Sequence, residues 1–131
     1  MDCGICIYAK YDDGPSVWST TWRVARKPTR CVECRRPIVA GQRYEFVSGK
    51  WDGEWSTYKT CAECVEIRLA FACDGTWTYT TLWEDLEDGF QMLTTGCFEK
   101  LTTVAAKTLL REQWAAWKGL SSLKGGDEGG V

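Results

Sequence analysis

The sequence predicts an α+β fold in which a β-hairpin and several helices surround a group of cysteines. Six of the eight cysteines form Cys-x-x-Cys pairs, two runs rich in aromatic residues flank an Asp-Gly dipeptide, and the C-terminal third has helical periodicity. With 131 residues and 44% apolar side chains, the chain has the size and composition of one compact domain.

The expected domain boundaries follow from a change in composition near the end of the sequence. Residues 121–131 are mostly serine, glycine and charged residues, so we expect a flexible tail there. Residues 1–120 should form a single compact domain with a core over residues 31–72 and a helical part over residues 81–119.

The first element should be an N-terminal strand. From Trp18 to Val24, large side chains alternate with hydroxyl and basic ones. This period of two is typical of a strand with one covered face.

A β-hairpin is predicted in the middle of the chain. Residues 43–51 and 54–60 are rich in aromatic and hydroxyl side chains. Between them, Asp52 and Gly53 suit a two-residue turn because glycine tolerates a positive φ.

Two of the cysteine pairs flank this hairpin. Cys31 and Cys34 form a tight turn before it, whereas Cys61 and Cys64 follow it and begin a helix. At a helix N-terminus, backbone N–H groups and the helix dipole favour thiolate over thiol. The expected buried face of this helix consists of Val65, Leu69 and Ala72.

Two further helices are predicted in the C-terminal third. Thr81 and Glu84 have the spacing of a capping box, which places a helix over residues 82–93. A last helix near residues 103–118 should end at Gly119. Its expected buried stripe consists of Ala106, Leu109, Leu110, Trp114 and Trp117.

The two pairs around the hairpin predict a metal site made of Cys31, Cys34, Cys61 and Cys64. Two residues between the cysteines of a pair let both sulfurs reach one tetrahedral ion, and two such pairs close a four-thiolate zinc site. Because four thiolates leave no open coordination position, such an ion stabilises the fold and does not activate water. An iron–sulfur cluster uses the same ligands and is an alternative.

The other four cysteines could form a second zinc site. They are Cys3, Cys6, Cys73 and Cys97. Only the first two have a ligand-like spacing, so a redox-active Cys3/Cys6 pair and free thiols at the other two positions are alternatives. Disulfides in an exported protein are a further alternative.

The expected location is the cytoplasm. The N-terminal residues do not resemble a secretory signal, and a run of about 18 apolar residues, which would predict a membrane span, does not occur. In a reducing compartment, cysteines are better interpreted as thiolates on metal than as disulfides.

Charged and aromatic residues suggest three binding surfaces. A basic cluster consists of Arg23, Arg26, Lys27, Arg30, Arg35 and Arg36. It could follow a phosphate backbone, or it could form a solvated face that balances the charge of a four-thiolate metal. Trp51 and Trp55 flank the hairpin turn and could form an exposed hot spot. The acidic residues 84–88 favour a helix start or a docking surface for a basic partner.

Enzymatic activity is not expected. The chain contains no histidine, which removes imidazole as a general base, a triad member or a metal ligand. The zinc deaminases require a His-x-Glu signature that is absent from this sequence.

The order of turn, hairpin and helix over residues 31–71 is that of a treble-clef zinc finger. The segments ARKPTRCVEC, GQRYEFVSGKWDGEW and YKTCAEC resemble small bacteriophage and prophage zinc-finger proteins. This resemblance implies a zinc fold, a phage origin and no catalytic residues. We therefore predict a non-enzymatic, zinc-stabilised viral accessory or regulatory protein that contacts nucleic acid in the bacterial cytoplasm. The alternative is a protein–protein interaction module that inhibits a host factor, such as a defence complex.

Overall fold

The computed structural model describes residues 3–10, 15 and 17–126, with side chains as far as Gly119. Within these residues the fold is mixed α+β, as the sequence predicts. The strands are β1 (Val17–Val24), β2 (Thr29–Arg30), β3 (Pro37–Ile38), β4 (Arg43–Trp51) and β5 (Glu54–Cys61). The helices are α1 (Ala62–Phe71), α2 (Leu82–Glu87), α3 (Thr95–Glu99) and α4 (Val104–Gly126), with a 3₁₀ turn at Phe90–Met92.

The main sheet is antiparallel, with β4 between β1 and β5, while β2 and β3 form a separate short pair. The predicted hairpin of β4 and β5 is confirmed, with Trp51 paired to Glu54 across the turn. Asp52 and Gly53 have φ values of 52° and 81°, the positive angles that a type I′ hairpin turn requires at both central positions.

The predicted strand β1 is also present, but the expectation of one covered face was wrong. All eight of its residues are exposed, including Trp18 and Trp22. The reason is its position at the edge of the sheet. Helix α1 packs against β4 and β5, so the outer strand receives no cover from it.

The predicted helix after the hairpin is confirmed, although its buried face is shifted. The buried residues are Cys64, Val65, Ile67, Arg68 and Phe71. Leu69, which was expected on the buried face, is 59% exposed. Because Cys64 must point inward toward the other cysteines, the residues three, four and seven positions further on follow it into the core.

The C-terminal helices differ from their predicted lengths. The helix expected over residues 82–93 ends at Glu87 and is followed by a 3₁₀ turn. Helix α4 does not end at Gly119 but continues to Gly126. Residues 121–126, which belong to the expected tail, are thus helical, and residues 127–131 lie outside the described part of the chain. The buried stripe of α4 is confirmed at Ala106, Leu109 and Leu110.

The N-terminal segment, residues 3–10, lies across the C-terminal end of α1. Ile7 forms an isolated parallel bridge with Ala72, and its N–H donates to the carbonyl of Phe71 at 2.8 Å. Ile5 and Ile7 are both buried. This short apolar segment therefore joins the core without forming a regular element.

The structure corrects the expectation of a second zinc site. It brings the four remaining cysteines together, but one disulfide joins Cys3 to Cys97 and another joins Cys6 to Cys73. A sulfur in a disulfide has no thiolate to donate to a metal. The redox-pair and free-thiol alternatives do not hold in this state either, since Cys3 and Cys6 bond to different partners.

Removing one of these disulfides should destabilise the fold moderately. The Cys6→Ala/Cys73→Ala variant loses a cross-link between residues 67 positions apart. We expect the free energy of unfolding, measured with denaturant, to fall by about 2–4 kcal/mol. A thiol reductant should destabilise the wild type but affect the Cys3→Ala/Cys6→Ala/Cys73→Ala/Cys97→Ala variant far less. Equal denaturation midpoints for the wild type and the double variant under oxidising conditions would contradict this prediction.

In the part of the chain that the structure describes, no helix combines the length and the apolar character needed to cross a membrane.

Candidate metal centre and basic sheet face

Four cysteines meet where the tight turn at residues 31–34, the end of β5 and the first turn of α1 come together. The sulfurs of Cys31, Cys34, Cys61 and Cys64 all lie within 4.8 Å of one another. A tetrahedron with metal–sulfur distances of about 2.3 Å has edges of about 3.8 Å. The Cys34 and Cys61 sulfurs are 3.8 Å apart. The group could therefore hold one metal ion, and its all-sulfur composition is compatible with zinc.

Hydrogen bonds from N–H groups support negative charge on these sulfurs. The backbone N–H groups of Glu33 and Cys61 donate to the Cys31 sulfur at 3.3 and 3.4 Å. The Cys61 sulfur caps α1 by accepting from the N–H of Cys64, and the indole of Trp83 donates to the Cys64 sulfur at 3.4 Å. Such outer contacts orient metal ligands and favour their ionised form.

The four sulfurs can all be thiolates only when a cation balances their charge. Hydrogen bonds from Cys31, Cys61 and Cys64 lower the pKa of Cys34. By contrast, the pKa of Cys64 is raised, because its hydrogen bonds with Cys31, Cys34 and Cys61 favour the thiol and because burial opposes its charge. A bound divalent ion would lower the pKa of all four thiols, since it binds the deprotonated form of every ligand. The closed four-sulfur arrangement fits a structural ion and leaves no position for substrate.

One member of the predicted basic cluster belongs to this centre. Arg36 donates from Nε to the Cys34 sulfur at 3.5 Å and from Nη2 to Glu63 at 3.3 Å. Partial burial opposes the charge on Arg36, but its interactions with the sulfurs of Cys34 and Cys61 together outweigh burial and raise the pKa of the guanidinium. This arginine compensates the negative charge of the sulfurs, which was the alternative interpretation of the cluster.

Glu33 connects the metal centre to the C-terminal helices. Its buried carboxylate accepts the N–H of Thr80 at 2.9 Å and that of Leu82 at 3.0 Å. Burial raises the pKa of Glu33, and these two bonds partly oppose that shift. Glu33 thus caps α2 in place of the predicted capping box. The Thr81 side chain makes no cap bond and contacts Asp85 instead.

The remaining members of the basic cluster separate into two groups. Arg30 turns toward the metal side, where its Nη1 donates to the carbonyl of Arg35 at 2.8 Å. Arg23, Arg26 and Lys27 line an open cleft of about 770 Å³ at the end of β1. Lys59 also lines this cleft, and no carboxylate does.

Sequence reasoning missed Lys59. It is 32 residues or more from the other cleft-lining cations, but Thr21 pairs with Phe46 and Phe46 pairs with Lys59 across the sheet. The sequence did contain a signal for it. Side chains along each hairpin strand alternate between the two faces of the sheet, and the turn at Asp52 and Gly53 sets the pairing, so Phe46 and Lys59 can be assigned to the same face.

The cleft continues into the sheet face that points away from α1, which we call the open face. Residues paired across an antiparallel sheet point to the same side, so the pairing defines its members. They are Val17, Ser19, Thr21, Arg23, Tyr44, Phe46, Ser48, Lys50, Trp55, Thr57, Lys59 and Cys61. Tyr44 and Cys61, at the end of the hairpin near the metal centre, are buried. None of these twelve described residues is acidic. The guanidinium carbon of Arg23 lies 3.8 Å from the centre of the Phe46 ring.

The two tryptophans predicted as a hot spot point to opposite sides of the sheet. Trp55 is on the open face and 61% exposed. Trp51 is half-buried on the covered face, where its ring centre is 5.5 Å from that of Tyr58. Its indole also lies over Gly49, where a Cβ would come within 2.6 Å of the ring. Only Trp55 is therefore available to a ligand.

The acidic residues expected as a docking surface are partly engaged within the chain. Asp85 forms an ion pair with Lys10, with 3.0 Å between the carboxylate Oδ1 and the ammonium Nζ. The pKa of Glu87 is raised by partial burial and by the neighbouring Glu84 and Asp88. These residues form the start and end of the short helix α2 and give no separate indication of a binding site.

No family model, curated protein or solved structure matches this chain.

The resemblance to phage zinc-finger proteins therefore rests on the sequence segments alone.

Proposed function

We propose that this protein is a non-enzymatic nucleic-acid-binding module stabilised by one zinc ion. The observation that carries the proposal is the continuity of the basic cleft with the open face. Together they hold Arg23, Arg26, Lys27 and Lys59 and, among the described residues that line them, no carboxylate. A surface of this kind attracts phosphates even though the chain has a formal net charge of −2.

In this proposal the zinc ion is structural. It holds the tight turn at residues 31–34, the hairpin and α1 in the order of a treble-clef finger, and this order positions the basic surface. The side of the hairpin that carries Glu45 and Thr60 is buried. On the open face, the residues of β1, Trp55 and Thr57 are exposed, whereas Phe46, Ser48, Lys50 and Lys59 are half-buried.

A phage accessory role in the bacterial cytoplasm remains a prediction. A reducing cytoplasm favours thiolates at all eight cysteines, but four of them form disulfides. Disulfides persist mainly in oxidising compartments, whereas a four-thiolate zinc site needs its cysteines reduced when it forms. Mass spectrometry of alkylated protein taken directly from cells would decide which state of the four cysteines occurs there.

Neutralising the cleft should weaken nucleic-acid binding and its salt dependence. For the Arg26→Ala/Lys27→Ala/Lys59→Ala variant, the slope of log K against log salt should become shallower by about 2, because each lost phosphate contact contributes about 0.7 on single strands. Fluorescence anisotropy with a labelled oligonucleotide measures both quantities.

The matched control removes the same charge from α4. The Lys107→Ala/Arg111→Ala/Lys118→Ala variant should keep the wild-type slope, because these residues lie outside the cleft and the open face. An equal loss of binding in both triple variants would mean that only net charge matters. Absence of binding by the wild type at low salt would refute the proposed function.

The second candidate function is binding to a host protein. The observation that favours it is the exposed edge strand β1, where Trp18, Trp22 and Val24 are unprotected on the side opposite to the open face. Such an edge can add a strand from a partner protein. Binding of this kind would survive neutralisation of the cleft, so the triple variant also separates the two functions.

A further inference from the structure

The open face carries more than positive charge. Phe46 lies on the central strand, with Thr21 and Lys59 directly opposite it on the two neighbouring strands. On β5, Trp55 lies four residues before Lys59 and about 14 Å closer to the hairpin turn. Of the three aromatic residues on this side of the sheet, Tyr44 is buried, Phe46 is half-buried beneath Arg23, and Trp55 is 61% exposed.

The contact between Arg23 and Phe46 changes what this part of the face can bind. With 3.8 Å between the guanidinium carbon and the ring centre, Arg23 lies over the ring. A guanidinium held in this way has its outer side free to stack on a planar group while it retains its charge. Nucleic-acid bases stack on arginine guanidinium planes as well as on aromatic rings.

Hydroxyl groups and cations fill the space between the two stacking positions. Ser48 and Thr57 are paired across the hairpin between Phe46 and Trp55, and both can donate to phosphate or base atoms. Arg23 and Lys59 belong both to the open face and to the basic cleft. A backbone held in the cleft would thus lead directly onto the stacking positions.

This combination selects single strands over duplexes. In a duplex the bases are stacked on one another, so their faces are not available to an exposed tryptophan. A single strand offers each base to the surface, and stacking on aromatic side chains tolerates any sequence. Duplex binding would use only the phosphate contacts of the cleft.

We propose that the open face binds single-stranded nucleic acid, with bases stacked on Trp55 and on the Arg23 guanidinium over Phe46, and with the phosphates held by the cleft. This proposal rests on the proposed nucleic-acid-binding function and specifies its substrate class. It assigns Trp55 the role of a stacking residue whose contribution does not depend on charge.

The test measures anisotropy with an oligothymidylate, an oligouridylate and a blunt DNA duplex of equal length at physiological ionic strength. The wild type should prefer both single strands to the duplex, and the ratio of the two single-strand affinities shows which nucleic acid is favoured. The Trp55→Ala variant should bind single strands at least about fivefold more weakly, with an unchanged salt slope. The Trp55→Phe variant should recover most of this loss.

The matched control is Trp18→Ala, which removes a tryptophan of similar exposure, 52%, from the other side of the sheet. Its affinity for single strands should equal that of the wild type. Equal binding of duplex and single strand, with no effect of Trp55→Ala, would overturn the stacking proposal. If the cleft variant still lost affinity in that case, the proposed function would stand. Failure of the wild type to bind any of the three probes would overturn both.

Discussion

Replacing Cys64 with serine should leave the purified protein without a bound ion and largely unfolded. Metal binding contributes on the order of 10 kcal/mol of apparent folding free energy in small sites of this type, comparable to the whole stability of a small domain. The Cys64 sulfur is also fully buried and accepts the Trp83 indole N–H. Elemental analysis should find one zinc per chain in the wild type, and circular dichroism should report the loss of structure in the variant.

The disulfide variant Cys6→Ala/Cys73→Ala is the control, because it removes two sulfurs but leaves the four-cysteine group intact. It should keep one ion per chain. Iron instead of zinc, with visible absorbance, would identify the cluster alternative. Wild-type protein that carries no metal and keeps its circular dichroism spectrum in strong chelator would contradict the metal site.

Breaking the buried ion pair between Glu45 and Arg68 should have the second largest effect. Nη2 of Arg68 donates to both carboxylate oxygens of Glu45 at 2.8 Å, and Arg68 is only 2% exposed. Among the described residues, Nε and Nη1 of Arg68 have no hydrogen-bond partner. The Glu45→Leu variant leaves this charge buried and unpaired, so denaturant unfolding should show a loss of about 3–5 kcal/mol.

A double-mutant cycle tests the cause of this loss. The Glu45→Leu/Arg68→Met variant should regain most of the stability, since apolar residues of similar volume often replace a buried ion pair at little cost. The Lys10→Gln variant, which removes a partly exposed ion pair with Asp85, should cost less than about 1 kcal/mol. A double variant as unstable as Glu45→Leu alone would show that the loss comes from packing and not from the unpaired charge.

The features predicted correctly from the sequence are those that depend on neighbouring residues. Cys-x-x-Cys spacing placed four sulfurs in two short turns, and Asp52 with Gly53 fixed the hairpin and its register. Each of these signals acts within a few residues, where backbone geometry alone decides the outcome.

The features that were missed depend on contacts between distant segments. Cys73 and Cys97 have no local spacing signal, and their partners were decided by where residues 3–10 meet the end of α1. Glu33 replaced the local capping box of α2 from 49 residues away. Lys59 joined the basic cleft through strand pairing. Local sequence patterns could not predict these contacts, because each of them is decided by which distant segments pack together in the fold.

The separation of the eight cysteines into one metal-binding set and two disulfides has a consequence for maturation. Cys6 and Cys3 are synthesised 67 and 94 residues before the cysteines that they bond. During that interval, the four cysteines of the metal-binding set can form incorrect disulfides with Cys3 or Cys6. An ion that captures Cys31, Cys34, Cys61 and Cys64 acts as a protecting group and reduces the possible full pairings from about 100 to about 3. Metal supply during synthesis would therefore control the yield of correctly oxidised protein.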